Sequence, residues 1–176
     1  MIIPSIILAG LFGFGSPAEP EKQSCHKDCL LSEEGVVFIR EFEGYYPYVY
    51  KDSAGLDTIG IGHLIKPGEK FDTPLMAEAA KKLFLEDAHQ AIKAVNKRVN
   101  VKLEQNQADA LISLTYNIGG ENFGMSTLLK FVNSEKHQEA PEWFLPWNKV
   151  TLNGKKVPVK GLTRRRVAEA KLYKGE

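Results

Sequence analysis

Between Ala80 and Val95, apolar residues return every three or four positions, at Ala80, Leu83, Phe84, Ala88, Ile92 and Val95. That interval is the period of a helix with one buried face, and a helix of this length needs a core to lie against. Thr73-Pro74 supplies a start signal, with a threonine N-cap and a proline at the first helical position. The stretch predicts one long helix, or two joined ones, ending near Val99. A second run from about 104 to 118 places Ala108, Leu111, Ile112, Leu114 and Thr115 on a packed side and stops at Gly119-Gly120. Residues 126–132 and 140–144 predict shorter helices. Residues 163–174 predict a last amphipathic one, with Val167, Ala168, Leu172 and Tyr173 on one side. At 176 residues, 43% hydrophobic and 26% charged, the chain can bury one sizeable core and is short for two domains.

The N-terminal third reads differently. Ser32 can cap a helix whose first turn carries Glu33 and Glu34, as the helix dipole favours, and Gly44 ends it. YPYVY, a turn from Asp52 to Asp57 containing Gly55, and TIGIGHLI then read as short strands. Asn153-Gly154, set between apolar and β-favouring residues, predicts a second hairpin. The expected fold class is α+β, mainly helical, with a small antiparallel sheet in the N-terminal lobe of two. No internal repeat or low-complexity segment interrupts it.

A mostly apolar run extends from Met1 to about Phe14, a length that suits the hydrophobic part of an export signal better than a spanning helix. Ser16 and Ala18 give a small-x-small pattern after it, but no basic residue precedes it, and Pro17 and Pro20 flank the cleavage point. It reads as a cleaved signal or a weak retained anchor. Cys25 and Cys29 are the only cysteines, and CHKDC has the wrong order for haem attachment. A metal site would lack a convincing fourth ligand, so no metal is expected. In an exported chain a local disulfide follows, and in the cytosol two thiols. The net charge of +1 conceals an asymmetry: residues 1–60 hold nine acids and four bases, whereas residues 147–176 hold nine bases against Glu169 and Glu176. A basic end attracts an anionic partner, be it nucleic acid, a membrane surface or an acidic wall polymer. No nucleic-acid-binding motif accompanies it.

The stretch EFEGYYPYVYKDSAGLDTIGIGHL holds the candidate chemistry. Glu43 falls at the C-terminal end of the first helix, among Phe42, Tyr45 and Tyr46. The dipole and partial burial there both favour the protonated carboxyl that a general acid requires. Asp52 falls at a strand end, more solvated and ionised. Thr58, after the turn, comes back beside Asp52. A protonated carboxyl facing a carboxylate is the equipment of glycoside hydrolysis. By spacing alone, the same residues also fit a surface hairpin with solvated charges.

Glu43, Asp52 and Thr58 in this context resemble the Glu–Asp–Thr triad of the phage-type lysozymes, the endolysins. TIGIGHL is close to that family's form. TYNIGGENFGMSTLLKFVN, and FLPWNKV followed by GLTRRRVAEAKLY, resemble its later segments. The resemblance covers about residues 32–173. It implies a lysozyme-like domain over 32–176 with a cleft between two lobes; the signal or weak anchor over 1–18 and the linker with the Cys pair over 19–31 lie outside it. It implies that Glu43 protonates the glycosidic oxygen, Asp52 stabilises oxocarbenium charge and orients water, and Thr58 holds that water. The reaction would be inverting hydrolysis of the β-1,4 bond between N-acetylmuramic acid and N-acetylglucosamine. Leu64, Tyr116, Asn117 and Arg165 match saccharide-binding positions, with a core role equally open for Tyr116. His63 and Asp87 match a structural pair. Arg165 and Arg166 match paired arginines, one facing substrate and one paired internally. The implied protein is a monomer without cofactor that acts on peptidoglycan glycan strands. It would touch membrane transiently through residues 1–14, and be exported, or held in the cytoplasm until lysis if the leader does not function. A transglycosylase would work with a single acid, which Asp52 and Thr58 argue against. A catalytically silent wall-binding module on the same fold is the alternative of another class.

Overall fold

The computed structural model describes residues 23–52, 55–152 and 154–176. The leader, linker residues 19–22, Ser53, Ala54 and Asn153 lie outside the described residues. The chain opens with strand β1 (Ser24–Cys25), helix α1 (Glu33–Glu43) and strands β2 (Tyr46–Lys51), β3 (Asp57–Gly60) and β4 (His63–Leu64). Helix α2 (Ala77–Arg98), strand β5 (Leu103–Glu104) and helices α3 (Gln105–Ile118), α4 (Gly120–Gly124) and α5 (Thr127–Asn133) follow. Two 3₁₀ turns (Ala140–Trp143, Leu145–Trp147), strands β6 (Lys149–Leu152) and β7 (Lys155–Pro158) and helix α6 (Lys160–Lys174) complete it. The sheets are small: β1 with β5, the order β2-β3-β4, and β6 with β7, all antiparallel.

Two clusters of buried side chains divide the molecule. The smaller joins Val36 and Ile39 of α1, Ile59 and Ile61, Leu75, and Ala80, Phe84 and Ala88 of α2. The larger gathers Ala91 and Val95 of α2 with Leu111 and Leu114 of α3, Leu128, Phe144 and Tyr173. Helix α2, 22 residues and so about 33 Å long, belongs to both. Its apolar face enters one cluster with its first half and the other with its second. Tyr116 packs against both.

The caps follow local chemistry. Ser32 accepts the Gly35 amide at the start of α1, with Glu33 and Glu34 in the first turn. Glu104 and Gln107 form a reciprocal capping box on α3. The N-terminal segment is tied down by β1, by Asn96, which donates to the Cys29 carbonyl and accepts its amide, and by the bridge joining Cys25 to Cys29.

Three expectations need correction. The helix expected from Thr73-Pro74 begins at Ala77 with Met76 at its N-cap. The Leu75 amide donates to the Pro47 carbonyl at 2.8 Å, and the Tyr45 hydroxyl donates to the Leu75 carbonyl. With Leu75 buried in the smaller core, residues 73–76 are held across β2 rather than wound into the helix. TIGIGHLI is two strands, β3 and β4, because Gly60 and Gly62 take φ values of 68° and 75° that turn the chain between them. Helix α6 begins at Lys160, not Thr163, and Val167 is exposed. The residues it buries are Arg165, Arg166, Glu169 and Tyr173.

Candidate active site

Glu43 is the last residue of α1, and Gly44 (φ 80°) turns the chain there while its amide still donates to the Arg40 carbonyl. The Glu43 side chain is 25% exposed. Arg165 Nη1 donates to its Oε1 at 2.6 Å. This guanidinium is a partner that dipole and burial alone do not account for. Arg165 is itself held: its Nε donates to Glu169 Oε1 at 3.2 Å, and its guanidinium lies over the Phe42 ring.

Glu169 is fully buried and serves three partners. It accepts from Ser113 Oγ at 2.8 Å, from Arg165, and from Arg166, whose Nε lies 2.8 Å from its second oxygen. Burial pushes the Glu169 carboxyl up, while the two guanidiniums and Ser113 pull it back. Burial likewise lowers the Arg166 guanidinium, against the pull of Glu169. Two arginines thus face two carboxylates across the base of the site.

The hairpin supplies the second half. Tyr50 pairs with Thr58, and Thr58 with Leu64. Side chains directly opposite share a face, as do residues two apart on a strand. Tyr50, Asp52, Thr58 and Leu64 therefore share one face, while Ile59 and His63 point into the core on the other. Asp52 is fixed by its own turn: its Oδ1 accepts the Leu56 amide at 2.9 Å, and its carbonyl accepts the Gly55 amide. Thr58 is buried, and its hydroxyl donates to the Leu56 carbonyl at 3.2 Å.

Contacts and charge place the hairpin beside the helix end. A β-carbon on Gly62 would lie 3.8 Å from Glu43 Oε2, so the turn between β3 and β4 abuts that carboxylate. The Tyr50 hydroxyl is pushed up by burial, then by Tyr46, Glu43 and Asp52, which puts it within the field of both carboxylates. Burial raises the Tyr116 hydroxyl further, with Glu43 and Asp87 adding and Arg165 opposing. The Tyr116 ring meets Phe84 edge-on at 5.4 Å, so this residue is packed into the core and near Glu43 at once. Leu64 and Asn117 are exposed, Asn117 one position beyond Tyr116.

His63 is buried, with Nδ1 2.7 Å from Asp87 Oδ2, and it has a partner that sequence reasoning missed: Nε2 lies 3.0 Å from Glu69 Oε2. Glu69 also accepts the Lys66 amide at 2.8 Å. That amide first, then His63, holds the Glu69 carboxyl below its ordinary value. Tyr50, Ser113 and Glu169 were missed as well. The Arg165–Glu169 spacing of four was a usable signal for the last, since residues four apart meet on a helix.

Comparison with known proteins places this arrangement. The endolysin of Escherichia coli O157:H7 phage FAHEc1 is 40% identical and superposes with a TM-score of 0.77, over 83% of this chain and 94% of that one. The fold is lysozyme-like, of the kind glycosidases carry. The phage lysozyme family model matches residues 40–169, and the chain belongs to that family. An endolysin of Acyrthosiphon pisum secondary endosymbiont phage 1 is 38% identical over 143 residues, 81% of this chain and 97% of that protein. A SAR-endolysin of Pseudomonas phage phiKMV is 36% identical over 131 residues, 73% and 79% of the two chains. Membership supports peptidoglycan hydrolysis by a lysozyme-fold enzyme. Among the described residues no helix is long and apolar enough to cross a membrane.

Proposed function

We propose that the protein is a muramidase that hydrolyses the β-1,4 bond between N-acetylmuramic acid and N-acetylglucosamine with inversion, through Glu43, Asp52 and Thr58. The observation that carries this reading is the placement of two carboxylates and a threonine about one hairpin: Glu43 ends α1 against the β3–β4 turn, and Asp52 and Thr58 share one face of the hairpin. Glu43 gives its proton to the glycosidic oxygen as the bond to C1 breaks. Water adds to C1 from the opposite side, and its proton leaves towards Asp52, whose charge also faces the developing oxocarbenium. Thr58 holds that water. An inverting enzyme needs room for it, with carboxyl groups about 6.5–9.5 Å apart.

Arg165 orients the Glu43 carboxyl as well as meeting substrate, and Leu64, Tyr116 and Asn117 line the sugar path in a cleft between the lobes. His63 and Asp87 brace the fold with Glu69. Glu43→Gln keeps the volume and removes the transferable proton. Clearing of a peptidoglycan suspension falls at least ~100-fold, with the circular dichroism spectrum unchanged. Undiminished clearing by this variant would refute the mechanism. Residues 1–18 serve export, and the Cys25–Cys29 bridge belongs to the exported form of a domain spanning 32–176. Intact mass from expressing cells, with and without reductant, tests both: a full-length, fully reduced chain contradicts export.

A further inference from the structure

The β6–β7 hairpin leaves every one of its described side chains exposed. Its register pairs Val150 with Val157 and Leu152 with Lys155. Leu152 lies two residues from Val150 on one strand, and Val159 two residues beyond Val157 in line with the other. The pleat therefore puts all four apolar side chains on one face together with Lys155, while Lys149 and Lys156 fall on the other. The four apolar residues are 37–56% exposed. A two-stranded ribbon ordinarily buries such a face against a helix or another sheet.

The surroundings are cationic. Between residues 149 and 168 the chain contains no acid. Arg165 and Arg166 turn inward and are matched by Glu43 and Glu169. Lys149, Lys155, Lys156, Lys160 and Arg164 are exposed, and among the described residues none is ion-paired. The ribbon is also firmly mounted. The Val159 amide donates to the Asn148 carbonyl, and Asn148 Nδ2 donates to Thr163 Oγ1 of α6.

We propose that this hairpin is a docking surface for an anionic lipid membrane, with the lysines meeting headgroup phosphates and the valine–leucine face entering the region just below them. A soluble polyanion would use the charge and leave the apolar face in water. An uncharged partner would use the face and leave the lysines unmatched. A surface of anionic headgroups over hydrocarbon satisfies both. This surface is separate from residues 1–14, which carry no charged side chain.

The test is sedimentation of the full chain with vesicles of phosphatidylcholine alone, or of equal parts phosphatidylcholine and phosphatidylglycerol, at low and physiological salt. The wild-type protein should partition at least ~10-fold more strongly onto the anionic vesicles. Lys155→Gln/Lys156→Gln should remove most of that preference, and Val150→Thr/Val157→Thr, which keeps β-branched side chains on the strands, should weaken anionic binding several-fold. Both double variants should keep the wild-type melting temperature. Equal binding to the two vesicle types, or binding unchanged in the lysine variant, overturns the proposal and assigns attachment to the leader. Anionic binding lost with the lysines but unaffected by the valine changes also overturns it, leaving a surface for polyanions in general.

Discussion

Two basic regions stand side by side in this chain and share almost nothing physically. Arg165 and Arg166 lie in the interior on α6, bonded to Glu43, Glu169 and, through Glu169, to Ser113. A few residues earlier, Lys149, Lys155 and Lys156 stand in solvent on a ribbon. The first set is consumed by the fold. The second is available to something outside it. Net charge over a segment therefore says little until each cation's partner is known, because a buried guanidinium facing carboxylates presents no field to a ligand.

Mutations should separate the two regions sharply. Arg166→Met leaves Glu169 buried with one guanidinium fewer. Unfolding should become easier by about 3–5 kcal/mol, read as a melting temperature lower by roughly 10 °C. A change under a degree would mean that the network is not strained by the loss. Next in size is an effect at His63. The Glu69 carboxyl is held below its ordinary value of 4.5, so the native state is favoured above that pH and loses the contribution as pH falls through the lower folded value. Glu69→Gln should narrow its stability gap to the wild type as pH falls below about 4.5, measured as converging urea midpoints. A gap that widens on acidification contradicts this. Smallest is Lys155→Gln/Lys156→Gln, which should change stability by less than about 0.5 kcal/mol in a thermal melt.

The same contrast explains what the sequence made legible. Apolar residues at helical intervals located α2 and α3 well, and Ser32, Gly44 and Gly119 acted as the caps they resemble. The inner face of α6 escapes apolar periodicity because Arg165, Arg166 and Glu169 count as outward residues there, whereas mutual pairing lets them go inside. Helix α2 starts later than Thr73-Pro74 signals because that local signal is overridden by the hold of β2 on Leu75. For the proposed catalytic set, Glu43, Asp52 and Thr58 follow from their order and context. Tyr50 does not, since nothing in a row of tyrosines says which one pairs with Thr58 in the sheet. Glu69 does not either, because it lies six residues past His63 in a loop with no period to read.

Helix α2 carries one more consequence. Its first half belongs to the smaller core and its second to the larger, so neither cluster can come apart without stripping one side from the same rod. The two halves of the molecule are thereby made a single cooperative unit despite having separate interiors. The backbone amides near Ala88 and Ala91, where the two interiors meet, should exchange their hydrogens only when the whole domain opens. The outer turns of the helix exchange sooner, each with the core it serves.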